Sequence, residues 1–280
     1  MSNSAQAVKD KLKNISREKN VDFNSIMRFY MYDRFIERLS KSKYKDNFVL
    51  KGGFYLSNLF GIDNRNTMDI DTAIRKKEFT EKNLINMINE IININIDDNV
   101  NFKIVKTEPI RDEDEYGGLR ITIDFMLENI KDKFHIDLAT GDSIYPGPDN
   151  YEYKSLIGDD VYKVWSYNLE TVLAEKIETI LSKLETSSRM KDYYDIYLIY
   201  KFRFDKINIE EFRGAVEKTF RKREFNVDAM INLNIIKESS TLKERWASYA
   251  RKNSYAREIK FEETLECLEQ FINIIISVAV

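Results

Sequence analysis

The sequence has one cysteine, Cys267, and only three prolines and nine glycines in 280 residues. A single thiol excludes an internal disulfide framework and fits a reducing cytosol, so Cys267 reads as a buried thiol of a C-terminal helix. With so little proline and glycine, most of the chain should be regular structure joined by short connections. No hydrophobic run is long. The longest, residues 271–280, falls short of the roughly 20 residues that span a bilayer. The opening MSNSAQAVKDKLKN is polar and charged and lacks the apolar core of a signal peptide. A soluble, cytoplasmic protein is the expectation.

What is present is a core and a charge asymmetry. Hydrophobic residues make up 43 % of the chain and aromatics 12 %, which excludes a disordered chain and suffices for two modest domains or one large one. The net charge of −3 says little about nucleic acid, but its distribution says more. Residues 201–260 carry 15 Lys/Arg against 9 Asp/Glu, a net +6, leaving −9 for the remainder. An acidic body therefore precedes a basic section.

Apolar spacing predicts an amphipathic helix over 22–41, with Asp22 as its N-cap. A short strand at 48–50 runs into Lys51-Gly52-Gly53, and a helix over 54–60 stops at Gly61. A loop at 62–67, a strand at 68–74 and a helix over 80–95 follow. Runs at 102–105 and 119–127 flank an acidic loop that ends at Gly117-Gly118; the second run alternates Leu119, Ile121, Ile123, Phe125 and Leu127 with polar residues, the period of a half-buried strand. A third run, 133–139, precedes a segment at 141–166 that reads as irregular connection and carries Pro146 and Pro148. From Asn168 onward the pattern is helical, over 168–185, 189–202, 208–223, 227–237, 241–251 and 260–277. The reading is an α+β first domain over 1–165 and a helical domain over 166–280.

The chemistry concentrates in Phe48-Val-Leu-Lys-Gly-Gly-Phe54 and Arg65-Asn-Thr-Met-Asp-Ile-Asp71. A Gly-Gly pair between a strand and a helix lets backbone N–H groups approach a phosphate, and the helix dipole favours the anion. Residues two apart on a strand share a face, so Asp69 and Asp71 would aim their carboxylates at one point. Two such carboxylates repel unless a cation sits between them, and Mg²⁺ or Mn²⁺ bound through carboxylates and substrate phosphates suits them. That is the equipment of a metal-assisted phosphoryl transfer. Lys51, Gly52, Gly53, Arg65 and Thr67 form the candidate nucleotide-binding set. Asp137 or Asp124 would supply a third acid, with Asp137 preferred because it lies in a short His-Ile-Asp-Leu strand. The lone histidine, His135, shares that face and reads either as a substrate contact or as a bystander.

Two further anomalies are helical. Lys176 falls inside the apolar stripe of 168–185, where an ammonium needs a carboxylate or a phosphate, unless it snorkels at the stripe's margin. Asp192 and Asp195 share a face with Ile196 and Ile199, which points either to a polar network beneath an active site or to an internal salt bridge. In the basic section, Arg221, Lys222 and Arg223, with Phe220, Phe225, Trp246 and Tyr249 interleaved nearby, could track a phosphate backbone and stack bases; a merely solvated charged face is the alternative.

Leu-Lys-Gly-Gly at 50–53, Arg-x-Thr-x-Asp-Ile-Asp at 65–71, a helix carrying Glu175-Lys176 and Arg-x-Lys-Asp-x-x-Asp at 189–195 closely resemble the AbiEii/AbiGii toxin family. The resemblance runs from about residue 23 to about residue 200; beyond it the chain matches only in being helical. It implies a DNA polymerase β-like nucleotidyltransferase core, a mixed sheet with flanking helices, followed by a C-terminal helical domain. It further implies a toxin of a toxin–antitoxin or abortive-infection (phage-defence) system, countered by an antitoxin encoded nearby. The implied reaction moves a nucleoside monophosphate from an NTP to an RNA acceptor, a tRNA 3′ end above all. Gly52 and Gly53 match the family's phosphate-binding turn, and Asp69 and Asp71 its metal ligands. Lys176, and Asp192 or Asp195, match its later lysine and acidic motifs, which makes Lys176, Asp192 and Asp195 candidate catalytic residues. Gly53 departs from the serine that many members of the wider superfamily carry. A protein or small-molecule acceptor, and a non-catalytic module that binds RNA or a partner, are the rival readings.

Overall fold

Apolar alternation in the first half of the chain resolves into one seven-stranded mixed sheet. The computed structural model describes residues 5–75, 80–110, 118–226 and 228–277. It divides into two compact units, residues 1–142 with 148–167, and residues 143–147 with 168–280.

In the first unit the elements are α1 (Ala5–Glu18), α2 (Phe23–Lys41), β1 (Phe48–Leu50), α3 (Gly52–Phe60), β2 (Asp69–Ile74), α4 (Glu81–Ile92), β3 (Val100–Ile110), β4 (Gly118–Leu127), β5 (Ile130–Thr140), β6 (Asp149–Lys154) and β7 (Val161–Ser166). The strand order is β3-β4-β5-β2-β1-β7-β6. β3, β4 and β5 form an antiparallel meander; β2 runs parallel to β5 and antiparallel to β1, and β1 runs parallel to β7. On β4, Leu119, Ile121, Ile123, Phe125 and Leu127 are buried while Asp124 and Met126 are exposed, so the alternation sets the face. Buried rings hold α2 to the sheet: Phe134 of β5 meets Tyr32 edge-on at 5.3 Å and Phe35 at 6.5 Å. Asp22 caps α2 by accepting from the Ser25 N–H at 2.9 Å. Arg38 adds a buried fork onto Asp98 at 2.7 and 2.9 Å.

The segment 141–166 is not irregular throughout: it contains β6 and β7. The signal is faint in β6, Asp-Asn-Tyr-Glu-Tyr-Lys, which lies at the sheet's edge and buries only Tyr153, whose hydroxyl donates to Asp33 at 2.6 Å; β7, Val-Tyr-Lys-Val-Trp-Ser, has the strand-forming residues of an inner strand. The helix of the Gly-Gly motif starts at Gly52 rather than after the glycines. Most of the acidic loop, residues 111–117, lies outside the described residues.

The second unit comprises α5 (Leu169–Lys183), α6 (Met190–Arg203), α7 (Ile209–Lys222), α8 (Ala229–Glu238), α9 (Ser240–Lys252) and α10 (Phe261–Ile276). Asn168 caps α5 by accepting from Thr171 N–H at 2.7 Å, and its amide donates to the Tyr145 and Gly147 carbonyls. At the far end of α5, Asn232 donates to the Leu181 carbonyl at 2.8 Å, satisfying one of the acceptors a helix terminus leaves open. Cys267 is buried on α10, and burial pushes its thiol up to about 11. Among the described residues no helix is long and apolar enough to cross a membrane.

Candidate active site

The two halves of the sequence motif meet where β1 gives way to α3. The Lys51 N–H donates to the Asp71 carbonyl at 3.0 Å, which holds the turn beside β2. Gly52 adopts φ +57°, a left-handed conformation that costs an L side chain about 1–2 kcal/mol. A Cβ there would lie only 2.7 Å from Asp71 Oδ2. Gly53 closes the other side: its added Cβ would lie 2.9 Å from Arg65 Nη2 and 3.1 Å from Thr67 Oγ1. A serine at 53 would therefore require Arg65 to move. Gly52, Gly53, Arg65, Thr67 and Asp71 form one locus.

Over residues 69–72 of β2 burial alternates, with Ile70 in the core and Asp69 and Asp71 half-buried on the opposite face. The parallel register with β5 places His135 beside Asp69 and Asp137 beside Asp71. The antiparallel register with β4 then sets Thr122 beside His135 and Arg120 beside Asp137. Arg120 Nε and Nη2 donate to the two oxygens of Asp137, each at 2.7 Å. His135 Nδ1 lies 3.1 Å from Thr122 Oγ1. Asp124 is exposed farther along β4, opposite Lys133. Among the described residues no three His, Cys, Asp or Glu side chains gather as a metal cluster. Asp69 and Asp71 nonetheless fit a divalent cation: both offer hard oxygen donors on one face, and the space against Asp71 Oδ2 is kept by the missing Cβ of residue 52.

The cations of the nucleotide-binding set are engaged. Lys51 Nζ bonds Asp142 Oδ2 at 2.6 Å, and the buried Tyr167 donates its hydroxyl to the same oxygen at 2.6 Å. Arg65 is 2 % exposed and donates to the Asn66 carbonyl. Sequence reasoning missed Asp142, Tyr167 and Arg120. The alternation of β4 gave the face of Arg120, but only the strand register brings it to Asp137.

Gly52→Ala tests the turn. It is expected to lower thermal stability and to cut nucleotide transfer by on the order of 100-fold, the penalty for shifting a reacting group by about 1 Å. A melting curve and a transfer assay on the same preparation check it; wild-type transfer would show that Asp71 needs no such clearance.

In the second unit, Lys176 Nζ meets Asp192 Oδ1 and Asp195 Oδ2, both at 2.7 Å. Both aspartates are fully buried and Lys176 is 8 % exposed. Arg189 Nε reaches the other oxygen of Asp192 at 2.6 Å. Burial pushes the Asp192 carboxyl upward, but the Lys176 and Arg189 charges outweigh it and hold the group below the ordinary carboxylate range. The inward lysine thus has its carboxylate partners, and the snorkelling alternative does not hold.

The basic section is less open than its sequence suggests. Arg221 is exposed and pairs with Glu217 one turn earlier, whereas Arg223 turns in to Glu178 and Thr179 of α5. Trp246 is buried, with its indole N–H on the Ile259 carbonyl at 2.9 Å, so it has no face for a base. Phe220 and Phe225 stack edge-on against each other at 4.6 Å.

Two crystal structures share this fold. A Helicobacter pylori protein described as a candidate nucleotidyltransferase is 14 % identical, with a TM-score of 0.51 over 92 % of this chain and 97 % of that one. JHP933 from Helicobacter pylori is 14 % identical, with a TM-score of 0.50 over 91 % and 93 %. No curated protein matches the sequence. The family described as nucleotidyl transferase AbiEii toxin, type IV toxin–antitoxin system, matches residues 34–267. The match spans most of the chain and includes the Gly-Gly turn, the Asp69/Asp71 pair and the Lys176 cluster, and the protein belongs to this nucleotidyltransferase toxin family.

Proposed function

We propose that the protein is a toxin that transfers a nucleoside monophosphate from an NTP to an RNA acceptor, with a tRNA 3′ end as the substrate class. The observation that carries this reading is the meeting of Asp71 with the Gly52–Gly53 turn at the start of a helix. That meeting supports a site in which a cation on Asp69 and Asp71 and a phosphate on the turn would lie side by side.

Asp69 and Asp71 would hold Mg²⁺ or Mn²⁺, which supplies Lewis-acid stabilisation of charge on the phosphoryl oxygens. The α3 N-terminus and the Gly52–Gly53 turn orient the triphosphate, with Lys51, Arg65 and Thr67 lining the turn. An acceptor hydroxyl oxygen bonds to the α-phosphorus, the bond from that phosphorus to the bridging oxygen breaks, and pyrophosphate leaves. The hydroxyl proton passes to a nearby base or to water. A cognate antitoxin is the partner that type IV toxin–antitoxin membership implies.

Incubating the purified protein with each α-labelled NTP in turn, Mg²⁺ and total bacterial RNA tests the reading. Label should enter RNA with one preferred nucleotide. Label on protein instead, or on a small molecule, would move the acceptor to another class. RNA docking on the basic section should weaken with salt, because each neutralised phosphate releases counterions. Arg221→Glu with Lys222→Glu should lower RNA labelling and flatten the log–log salt dependence by about 0.7 per lost contact. Arg223 is left unchanged because it pairs with Glu178. Unchanged labelling or salt dependence would remove RNA from this surface.

A further inference from the structure

We infer that Arg120 is a phosphate-binding residue of this site and that Asp137 serves to hold it rather than to ligate metal. The inference rests on the nucleotidyltransferase reading above. It starts from a row across three strands: Asp71 on β2, Asp137 on β5 and Arg120 on β4 are successive register partners. With strands about 4.8 Å apart, that row spans about 10 Å of one sheet face. Arg120 is near enough to the two-aspartate motif for Asp69 and Asp71 to act on its charge.

The contact with Asp137 is a fork on a fork. Nε and Nη2 of Arg120 meet Oδ1 and Oδ2 at 2.7 Å each, which fixes the plane of the guanidinium and occupies both carboxylate oxygens. Arginine carries five N–H donors, and this pairing uses two of them. Among the described residues Arg120 has no hydrogen bond or ion pair beyond Asp137, and its side chain is 40 % exposed. It is therefore a cation held rigidly by one edge with its other edge open. The remaining cations at the site differ: Lys51 is engaged by Asp142, and Arg65 is buried. A triphosphate approaching Asp69 and Asp71 adds negative charge to an acidic row, and Arg120 is the group placed to receive it. A planar guanidinium fits two phosphate oxygens as it fits a carboxylate.

A double-mutant cycle on the full chain tests this, using Arg120→Gln, Asp137→Asn and the double variant, with Asp69→Asn as control. Binding of Mn²⁺ alone is read by electron paramagnetic resonance, binding of each of the four NTPs by calorimetry, and KM and kcat for NTP by transfer. Arg120→Gln should weaken NTP binding and raise KM by about tenfold or more, the loss expected for one charge-assisted hydrogen bond. Asp137→Asn should shift the same parameters in the same direction by less, and leave Mn²⁺ binding at the wild-type value. The double variant should be no worse than Arg120→Gln, because Asp137 acts through Arg120. Arg120→Lys should recover only part of the loss, since an ammonium lacks the fork. Loss of Mn²⁺ binding in Asp137→Asn, to the extent seen in Asp69→Asn, would overturn the inference and make Asp137 a metal ligand. Unchanged NTP binding in Arg120→Gln would also overturn it while the site reading stood. Wild-type protein that binds neither Mn²⁺ nor any NTP would overturn both.

Discussion

Asp71→Asn is expected to lower nucleotide transfer by about three orders of magnitude or more at saturating Mg²⁺, with the fold intact. A bound divalent cation contributes several kcal/mol of transition-state charge stabilisation, and about 4 kcal/mol corresponds to roughly 1,000-fold in rate. Asn keeps the size of the side chain and the backbone contact from Lys51 to the Asp71 carbonyl, so the turn survives. What it removes is one charge of a pair that faces the same way from β2. Relief of that repulsion should leave the melting temperature equal or higher. Asp69→Asn should behave alike. A variant with lost activity and a collapsed melting curve would instead mean that the carboxylate is structural.

Lys176→Met should cost about 3–5 kcal/mol of stability, the range for breaking a buried ion pair by removing one partner. Two fully buried carboxylates, Asp192 and Asp195, converge on the lysine at 2.7 Å and would lose a common counter-charge. Urea unfolding measures this directly. Asp195→Asn added to Lys176→Met should restore part of the loss by removing one uncompensated charge. The pH dependence has a definite sign. Asp192 is held below the ordinary carboxylate range, so its contribution is present above that range and disappears as acid protonates it in the folded state. The deficit of Lys176→Met should accordingly be greatest near neutral pH and shrink on acidification. An unchanged urea midpoint with lost transfer would mean that the ammonium serves the nucleotide, the phosphate alternative that an inward lysine leaves open.

These two sites differ in how far the sequence discloses them. Asp69 and Asp71 were legible because alternation on a strand fixes a common face whatever its neighbours are. The inward lysine and acids of α5 and α6 were legible because helical spacing puts them among apolar residues, although nothing in the spacing says that they meet. The cap at Asp22 is local chemistry and was equally plain, whereas the cap at Asn168 appears only in the fold. Register is not local. Arg120 reads as one polar residue of an alternating strand until β4 lies against β5, and only then does it take both oxygens of Asp137. The same limit hid β6, a polar edge strand that buries only Tyr153. It also made the basic section look more open than it is: Arg223 finds Glu178 on another helix, and Trp246 turns into the core. Charge in sequence marks a candidate surface, and packing decides which of its residues remain on it.

Whether this chain moves a nucleoside monophosphate is read from the position of the label in the NTP. The purified protein is given the preferred NTP labelled either at the α- or at the γ-phosphate, with Mg²⁺ and bacterial RNA, beside Asp71→Asn. The α-label should appear in RNA and the γ-label in released pyrophosphate, with both signals lost in the variant. A γ-label retained on the acceptor would mean that a phosphoryl group moves instead, and α-label transfer at wild-type rate by Asp71→Asn would mean that Asp71 holds no catalytic metal.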